Sequence, residues 1–263
     1  MITLSVGLQK GGVGKSTVTL GIGSYFHELG KRTLFIDADS QHNISSVFNV
    51  DVDNTPTLYE VLRNEVSIQD AIITTEFGDI LPGKMSLGNR DIWSGKEAEF
   101  RNVDLRFCLK KALDTIKDRY DLVIIDTPPN IGFLLLNALV ASNGVIVPLV
   151  PEVFAQDALA DFVETFDAVK KQDVNPSLRL LGIVLNRYDN RLALHRITKK
   201  ELEDAAEKLG TKVFSTTIRQ NVTLSEAQRM LCPSIYKYNL RSNGSKDFAA
   251  VCQELEESLW KKT

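Results

Sequence analysis

One octapeptide constrains this chain more than any other feature. Lys10-Gly11-Gly12-Val13-Gly14-Lys15-Ser16-Thr17 lies between a short apolar run, Ile2–Leu8, and a helical stretch from Ser16 to Leu29 that Gly30 closes. A strand that turns through glycines into a helix opens an α/β unit. The glycines let consecutive backbone N–H groups curl around phosphate oxygens, and the helix N-terminus adds its positive end. In that frame Lys15 reaches the β- and γ-phosphates of a nucleotide and the Ser16 hydroxyl ligates Mg2+. The usual spacing G-x-x-x-x-G-K-[ST] fails at its first position, where Gln9 stands, and the loop carries an extra lysine, Lys10.

The alternation of strand and helix continues along the chain. Strands are expected at Thr33–Asp37, Asp79–Leu81, Leu122–Asp126, Gly144–Val150, Leu180–Asn186 and Val213–Ile218. Helices are expected at Thr57–Arg63, Asp104–Tyr120, Ala155–Lys171, Arg196–Leu209 and Asp247–Leu259. Leu122–Asp126 and Gly144–Val150 are continuous apolar runs, as in strands covered on both faces of a parallel sheet. The pattern predicts an α/β fold: a doubly wound, mostly parallel sheet with helices on both faces, ligands sitting at the carboxyl ends of the strands. No repeat, low-complexity tract or Pro/Gly-rich linker divides the chain, so one domain is expected over 1–263.

Composition removes several function classes. Cys108, Cys232 and Cys252 include no C-x-x-C pair, which argues against a disulfide framework, a zinc ribbon or a Cys-ligated cluster. His27, His42 and His195 are far apart and suggest no metal site. Met1 runs straight into Ile2-Thr3-Leu4-Ser5-Val6 without a basic leader, and no apolar run reaches the ~18 residues of a membrane span. A cytoplasmic, reduced protein is expected. The formal charge of −3 hides a segregation: residues 1–169 carry 14 basic and 23 acidic side chains, whereas residues 170–246 carry 15 basic and 7 acidic. A local excess of +8 keeps nucleic acid open as a partner, because association follows the field of a surface rather than the whole-chain sum. A solvated face of scattered lysines and arginines is the other reading of the same excess.

The loop in its deviant form, K-G-G-x-G-K-[ST], resembles that of the ParA/MinD superfamily of deviant Walker ATPases, and most closely the short, Soj-like partition ATPases. Phe35-Ile36-Asp37-Ala38-Asp39-Ser40-Gln41-His42-Asn43 is similar to the family's D-x-D-P-Q-G-N switch, and Leu122-Val123-Ile124-Ile125-Asp126-Thr127-Pro128-Pro129 to its Walker B segment. Asn137–Ala141 and Gly144–Pro148 follow as in the family, so the resemblance covers nearly the whole chain. It implies ATP and Mg2+ held by Lys10, Gly11, Gly12, Val13, Gly14, Lys15, Ser16 and Thr17. Lys10 is implied to cross an ATP-dependent homodimer and touch the phosphates of the other subunit. Asp39 would orient or activate the attacking water and stand near the metal, Asp126 would hold Mg2+ with Ser16, and Asp37 would support the switch or cap a loop.

Asn186-Arg187-Tyr188-Asp189 ends another apolar run and is similar to the base-reading N-K-x-D pattern of related nucleotide binders. A side-chain amide pairs with donor and acceptor edges of adenine, so Asn186 is the expected base contact, a turn-capping role being the alternative. Three positions depart from the family: Ser40 stands for its usual Pro, His42 for its Gly, and Thr223 for an arginine that often contacts DNA. Arg191 matches the other basic position. Arg219 either restores the missing charge or flanks the adenine.

The nucleotide site is shared by relatives with different tasks, so the rest of the chain has to choose among them. The end, Lys246–Thr263, has Phe248, Val251, Cys252, Leu255 and Leu259 at helical spacing with a mostly acidic polar side, and Lys261-Lys262 only at the tip. That pattern fits packing on the sheet better than entry into lipid. The resemblance therefore implies an ATPase of plasmid or chromosome partition: its ATP dimer binds non-specific DNA, associates with the nucleoid, and is released when a ParB-like centromere-binding protein stimulates hydrolysis. No DNA-reading domain is expected ahead of the loop, because the first strand starts at residue 2. A membrane-cycling, MinD-like positioning ATPase and a cargo-positioning ATPase without DNA are the alternatives.

Overall fold

The structure is a computed structural model and describes residues 1–88, 104–171 and 174–260. In chain order the strands are β1 (Ile2–Val6), β2 (Thr33–Asp37), β3 (Asp79–Leu81), β4 (Leu122–Asp126), β5 (Gly144–Leu149), β6 (Arg179–Tyr188) and β7 (Ile218–Arg219). They form one sheet in the order β3-β2-β4-β1-β5-β6-β7, every neighbouring pair parallel. The order runs outward in both directions from β1, as a doubly wound fold requires, and it places the loop after β1 in the middle of the carboxyl edge. The expected fold class is what the strands build.

The helices are α1 (Lys15–Glu28), α2 (Asn43–Val47), α3 (Leu58–Leu62), α4 (Ile68–Ala71), α5 (Cys108–Asp114), α6 (Phe133–Ala141), α7 (Ala155–Lys171), α8 (Ala193–Lys208), α9 (Val222–Arg229), α10 (Ile235–Asn239) and α11 (Asn243–Leu259). Residues that alternate along each strand feed opposite faces of the sheet. Leu4, Phe35 and Ile124 join Ile22, Phe26 and Phe248 beneath α1 and α11. Leu34, Ile36 and Ile125 pack with Leu109 and Leu113 of α5, while Val145 and Val147 pack with Leu139 of α6 and Phe162 of α7. Close approach of α1 needs glycine at position 23, where a Cβ would overlap the Phe35 ring. The apolar stripe of α11 (Phe248, Val251, Cys252, Leu255) is fully buried, in agreement with its reading as a sheet-packing helix. The Lys261-Lys262 tip lies outside the described residues. No described helix is long and apolar enough to cross a membrane.

Several element boundaries differ from expectation for local reasons. Asp104–Tyr120 is not one helix: a 3-10 turn, Leu105–Phe107, capped by the Asp104 side chain, precedes α5. Beyond Asp114 the backbone reverts to i→i−3 bonds, Ile116 N to Leu113 O and Arg119 N to Ile116 O. Val213–Ile218 is not a continuous strand either. Val213 makes a single bridge to Ile183, and the Ser215 and Thr216 amides then turn to the Glu254 carboxylate, so only Ile218–Arg219 rejoins the sheet.

Candidate nucleotide site

The loop after β1 takes its shape from two glycines in the left-handed region, Gly12 at φ 75° and Gly14 at φ 91°. A Cβ on Gly14 would also overlap Asn186 Nδ2. Gly14 is the N-cap of α1 and no side chain caps that helix end, which leaves its first-turn amides directed at the loop's concavity. Inside the curl, Lys15 is only 7% exposed and its Nζ donates to the Lys10 carbonyl at 3.0 Å. Burial lowers the Lys15 ammonium from its ordinary range, and the nearby Asp126 and Asp39 carboxylates pull it back up.

The carboxylates come from the neighbouring strands. Asp37 and Asp126 are register partners at the ends of β2 and β4, both with no exposed surface. Ser16 Oγ donates to Asp126 Oδ2 at 2.6 Å, and Thr19 Oγ1 lies 3.5 Å from Asp126 Oδ1. Burial pushes Asp126 well above the usual carboxylate range, with the charges of Asp37 and Asp39 adding to it against the Ser16 hydrogen bond and Lys15. Asp37 is raised by burial to about 6, although Ser45 N, Ser45 Oγ and Asp39 N all donate to it. Asp39 sits just beyond, and its Oδ1 accepts from Gln41 N at 3.0 Å. Asp126 and Asp39 thus share the one buried ammonium while Asp37 presses on Asp126, an arrangement short of positive charge.

A cleft of about 530 Å³ opens over these groups, lined by Gly14, Lys15, Ser16, Asp39, Arg187 and Gln228 among others. The structure therefore brings together Gly11, Gly12, Gly14, Lys15, Ser16, Thr17 and Asp39 on one concavity, with Asp126 directly beneath it. Val13 is buried under the loop. Lys10 turns outward, its Nζ 3.0 Å from Glu152 Oε2. Asn186 lies against the loop rather than along the cleft: its Nδ2 donates to Val13 O at 2.9 Å and its Oδ1 accepts from Arg187 N.

Arg191 and Arg219 fall together on a second cleft of about 600 Å³ beside the first, and Arg187 lines both. Arg191 is 85% exposed at its side chain and forks onto Asp189, which it holds down at about 2. Arg196 braces the turn that carries Arg191, donating to the Asn190 and Arg191 carbonyls. Arg219 is held more firmly, by Asp247 at 2.6 Å through Nη2 and 3.0 Å through Nε. Thr223 sits in the first turn of α9, where its amide meets the Asn221 cap.

Sequence reasoning missed Ser45, Thr19 and Gln228. Ser45 ties Asp37 to the Gly83 amide, and Gln228 Nε2 donates to Thr17 Oγ1 at 3.1 Å. Ser45 and Gln228 meet their partners only through tertiary packing. Thr19 alone had a signal, since it lies four residues after Lys15 on the same helix face.

Residues 1–180 match the family described as AAA domain. The chain is 36% identical over 255 residues to the chromosome partitioning protein ParA of Myxococcus xanthus, covering 94% of this chain and 85% of that one. It is 34% identical over 250 residues to the chromosome-partitioning ATPase Soj of Treponema pallidum, covering 94% of each. The chain belongs to the ParA/Soj family. Among solved structures, cobyrinic acid a,c-diamide synthase of Mycobacterium smegmatis with bound ADP and magnesium superposes with a TM-score of 0.80 at 29% identity, covering 100% of this chain and 98% of that one. His42 holds a left-handed backbone at φ 42°, the conformation that favours glycine, and its ring nitrogen lies 3.2 Å from Ser46 Oγ.

Proposed function

We propose that this ParA/Soj-family chain is a Mg2+-dependent ATPase of plasmid or chromosome partition. Its ATP-bound homodimer holds DNA without reading sequence. The observation that carries the reading is the Ser16–Asp126 hydrogen bond under a two-glycine loop whose lysine, Lys15, is buried beside it. The fit to a magnesium nucleotide follows from charge. Asp39 and Asp126 share one ammonium with Asp37 pressing on Asp126, and among the described residues no group of three or more His, Cys, Asp or Glu converges as an all-protein metal site. Such a site suits a cation that completes its shell with phosphate oxygens and water. Ser16 and Asp126, with Asp39 nearby, would hold Mg2+, which when bound supplies charge neutralisation at the β- and γ-phosphate oxygens.

The chain's own groups account for the remaining steps. Loop amides from Gly11 to Thr17 bind the phosphates, and Lys15 exchanges the Lys10 carbonyl for phosphate oxygens. Asp39, fixed by the Gln41 amide, orients the attacking water. Among the described residues no arginine or further lysine lines this cleft from the carboxylate side, which supports slow intrinsic turnover. A basic residue from a partner supplies roughly 10³–10⁵ in rate in other P-loop systems. A ParB-like centromere-binding protein is the partner the family supports. Dimerisation draws on Lys10 and on the apolar side chains of Ile131, Val153 and Phe154, 62%, 72% and 66% exposed in the segments after β4 and β5 that flank the loop.

Arg187, Arg191, Arg196 and Lys200 are exposed at the β6–α8 corner and supply the phosphate contacts to DNA. That contact is the basis for reading the protein as cytoplasmic and associated with the nucleoid. Among the described residues Phe248, Val251, Cys252 and Leu255 of α11 are buried, which favours packing on the sheet over the membrane-cycling alternative. The test is Asp39→Ala. Hydrolysis should fall roughly 10²–10⁴-fold, while ATP stays bound and a dimer accumulates on gel filtration. A variant that remains monomeric with ATP would sink the dimer reading.

A further inference from the structure

The nucleotide cleft has a direction. Asp39 follows β2 and Asp126 ends β4, both on one side of the phosphate loop in the sheet order. Arg187, near the end of β6, and Gln228, on α9 after β7, line the same cleft from the other side. With Lys15 and Ser16 marking the β- and γ-phosphates, the carboxylate side receives the terminal phosphate. The β6–β7 side then receives the nucleoside.

Gln228 is tethered at the boundary between the two. Its Nε2 donates to Thr17 Oγ1 at 3.1 Å, and among the described residues that is the carboxamide's one hydrogen bond. Thr17 is the next residue beyond Ser16 and the last of the phosphate-holding loop, at its nucleoside end. A side chain bonded to it stands about one chemical group past the phosphates, at the sugar. A carboxamide oxygen accepts hydrogen bonds and a ribose hydroxyl donates them. Asn186, the other carboxamide nearby, is committed on both atoms, to Val13 O and Arg187 N.

We propose that Gln228 recognises the ribose hydroxyls of the bound nucleotide, its Oε1 accepting from them while Thr17 holds its nitrogen. The site thereby prefers ribonucleotides to deoxynucleotides. The inference rests on the reading of the cleft as a nucleoside triphosphate site. Gln228 is half-buried, so the contact carries the weight of an ordinary hydrogen bond, about five- to tenfold in affinity.

The experiment measures equilibrium binding of ATP, 2′-deoxy-ATP and 3′-deoxy-ATP, with Mg2+, to the wild-type chain, Gln228→Ala and Gln228→Glu. At least one deoxy analogue should bind the wild type about five- to tenfold more weakly than ATP. Gln228→Ala should erase that difference by weakening ATP alone. Gln228→Glu, which keeps an acceptor at the same reach, should retain the difference even if all three nucleotides bind more weakly beside the phosphates. A difference that survives in Gln228→Ala, equal weakening of all three nucleotides in that variant, or no difference in the wild type overturns the ribose contact and leaves the phosphate site standing. Failure of the wild type to bind any of the three overturns the site itself, and the contact with it.

Discussion

Lys10 points its ammonium away from its own phosphate loop, to Glu152 Oε2 at 3.0 Å, and lends the loop only its carbonyl oxygen. Both partners are partly exposed, at 29% and 59% of their side chains, so the pair contributes less than about 1 kcal/mol. An amine held this loosely beside a loop that does not use it is available to a second molecule. Lys10→Ala should therefore bind ATP with affinity close to wild type, unfold at nearly the same temperature, and fail to dimerise when ATP is added. Analytical ultracentrifugation with and without ATP checks this; a full ATP-dependent dimer in Lys10→Ala would remove Lys10 from the interface.

Gly14 and Asn186 form a coupled pair. Gly14→Ala combines a φ of 91° with an overlap onto Asn186 Nδ2, and it should cost roughly 1–3 kcal/mol together with nucleotide binding. Asn186→Ala alone removes the strap to Val13 O and should cost about 1 kcal/mol. In the double variant the overlap is gone and the backbone strain and the lost strap remain, so the two single costs should sum to more than the double variant loses. Urea denaturation of the four proteins gives the coupling. Simple additivity would mean that Asn186 does not press on the loop.

Asp37 gives the ligand-free protein a pH signature. Its folded-state pKa lies near 6 against an ordinary 3.8, because burial disfavours the anion more than the Ser45 and Asp39 donors favour it. The folded chain keeps the proton through a window in which the unfolded chain has released it. Stability therefore falls as pH rises from about 4 to about 6, by up to about 3 kcal/mol from this group, and levels off above. Asp37→Asn should flatten that segment of a stability-versus-pH curve. A slope unchanged in the variant would assign it elsewhere, Asp126 being the next group to examine.

The site was legible where covalent spacing alone sets the geometry. Gly12, Gly14, Lys15 and Ser16 are adjacent in the chain, and the apolar runs ending in Asp37 and Asp126 fix those carboxylates at the sheet's carboxyl edge. What escaped is tertiary. α6, Phe133–Ala141, is almost uniformly apolar and carries no 3.6-residue alternation to reveal it. The ladder expected over Val213–Ile218 is displaced by a carboxylate from a distant helix, Glu254. Asn186 was marked by its neighbours as a base reader, and its bond to the backbone of Val13 is a tertiary contact that the local pattern does not announce. Gln228 reaches Thr17 across 211 positions of sequence, and no local pattern announces it.

Arg191 tests the basic corner. Its guanidinium is exposed and its partner Asp189 is partly exposed, so exchange onto a DNA phosphate costs little. Arg191→Glu should weaken binding to duplexes of unrelated sequence by similar factors and reduce the salt dependence of log K by about one unit of slope or more. Titrations at several salt concentrations decide it, and an unaltered slope takes Arg191 out of the contact.

Nucleotide-gated attachment to DNA is the central claim, and co-sedimentation tests it most directly. Wild type and Lys15→Ala are spun with a non-specific duplex or with anionic liposomes, each with Mg-ATP and without nucleotide. The expected result is wild-type protein pelleting with DNA only in Mg-ATP, Lys15→Ala staying in solution throughout, and no retention on liposomes. Retention on liposomes in Mg-ATP with none on DNA, or equal retention on DNA with and without nucleotide, would contradict it.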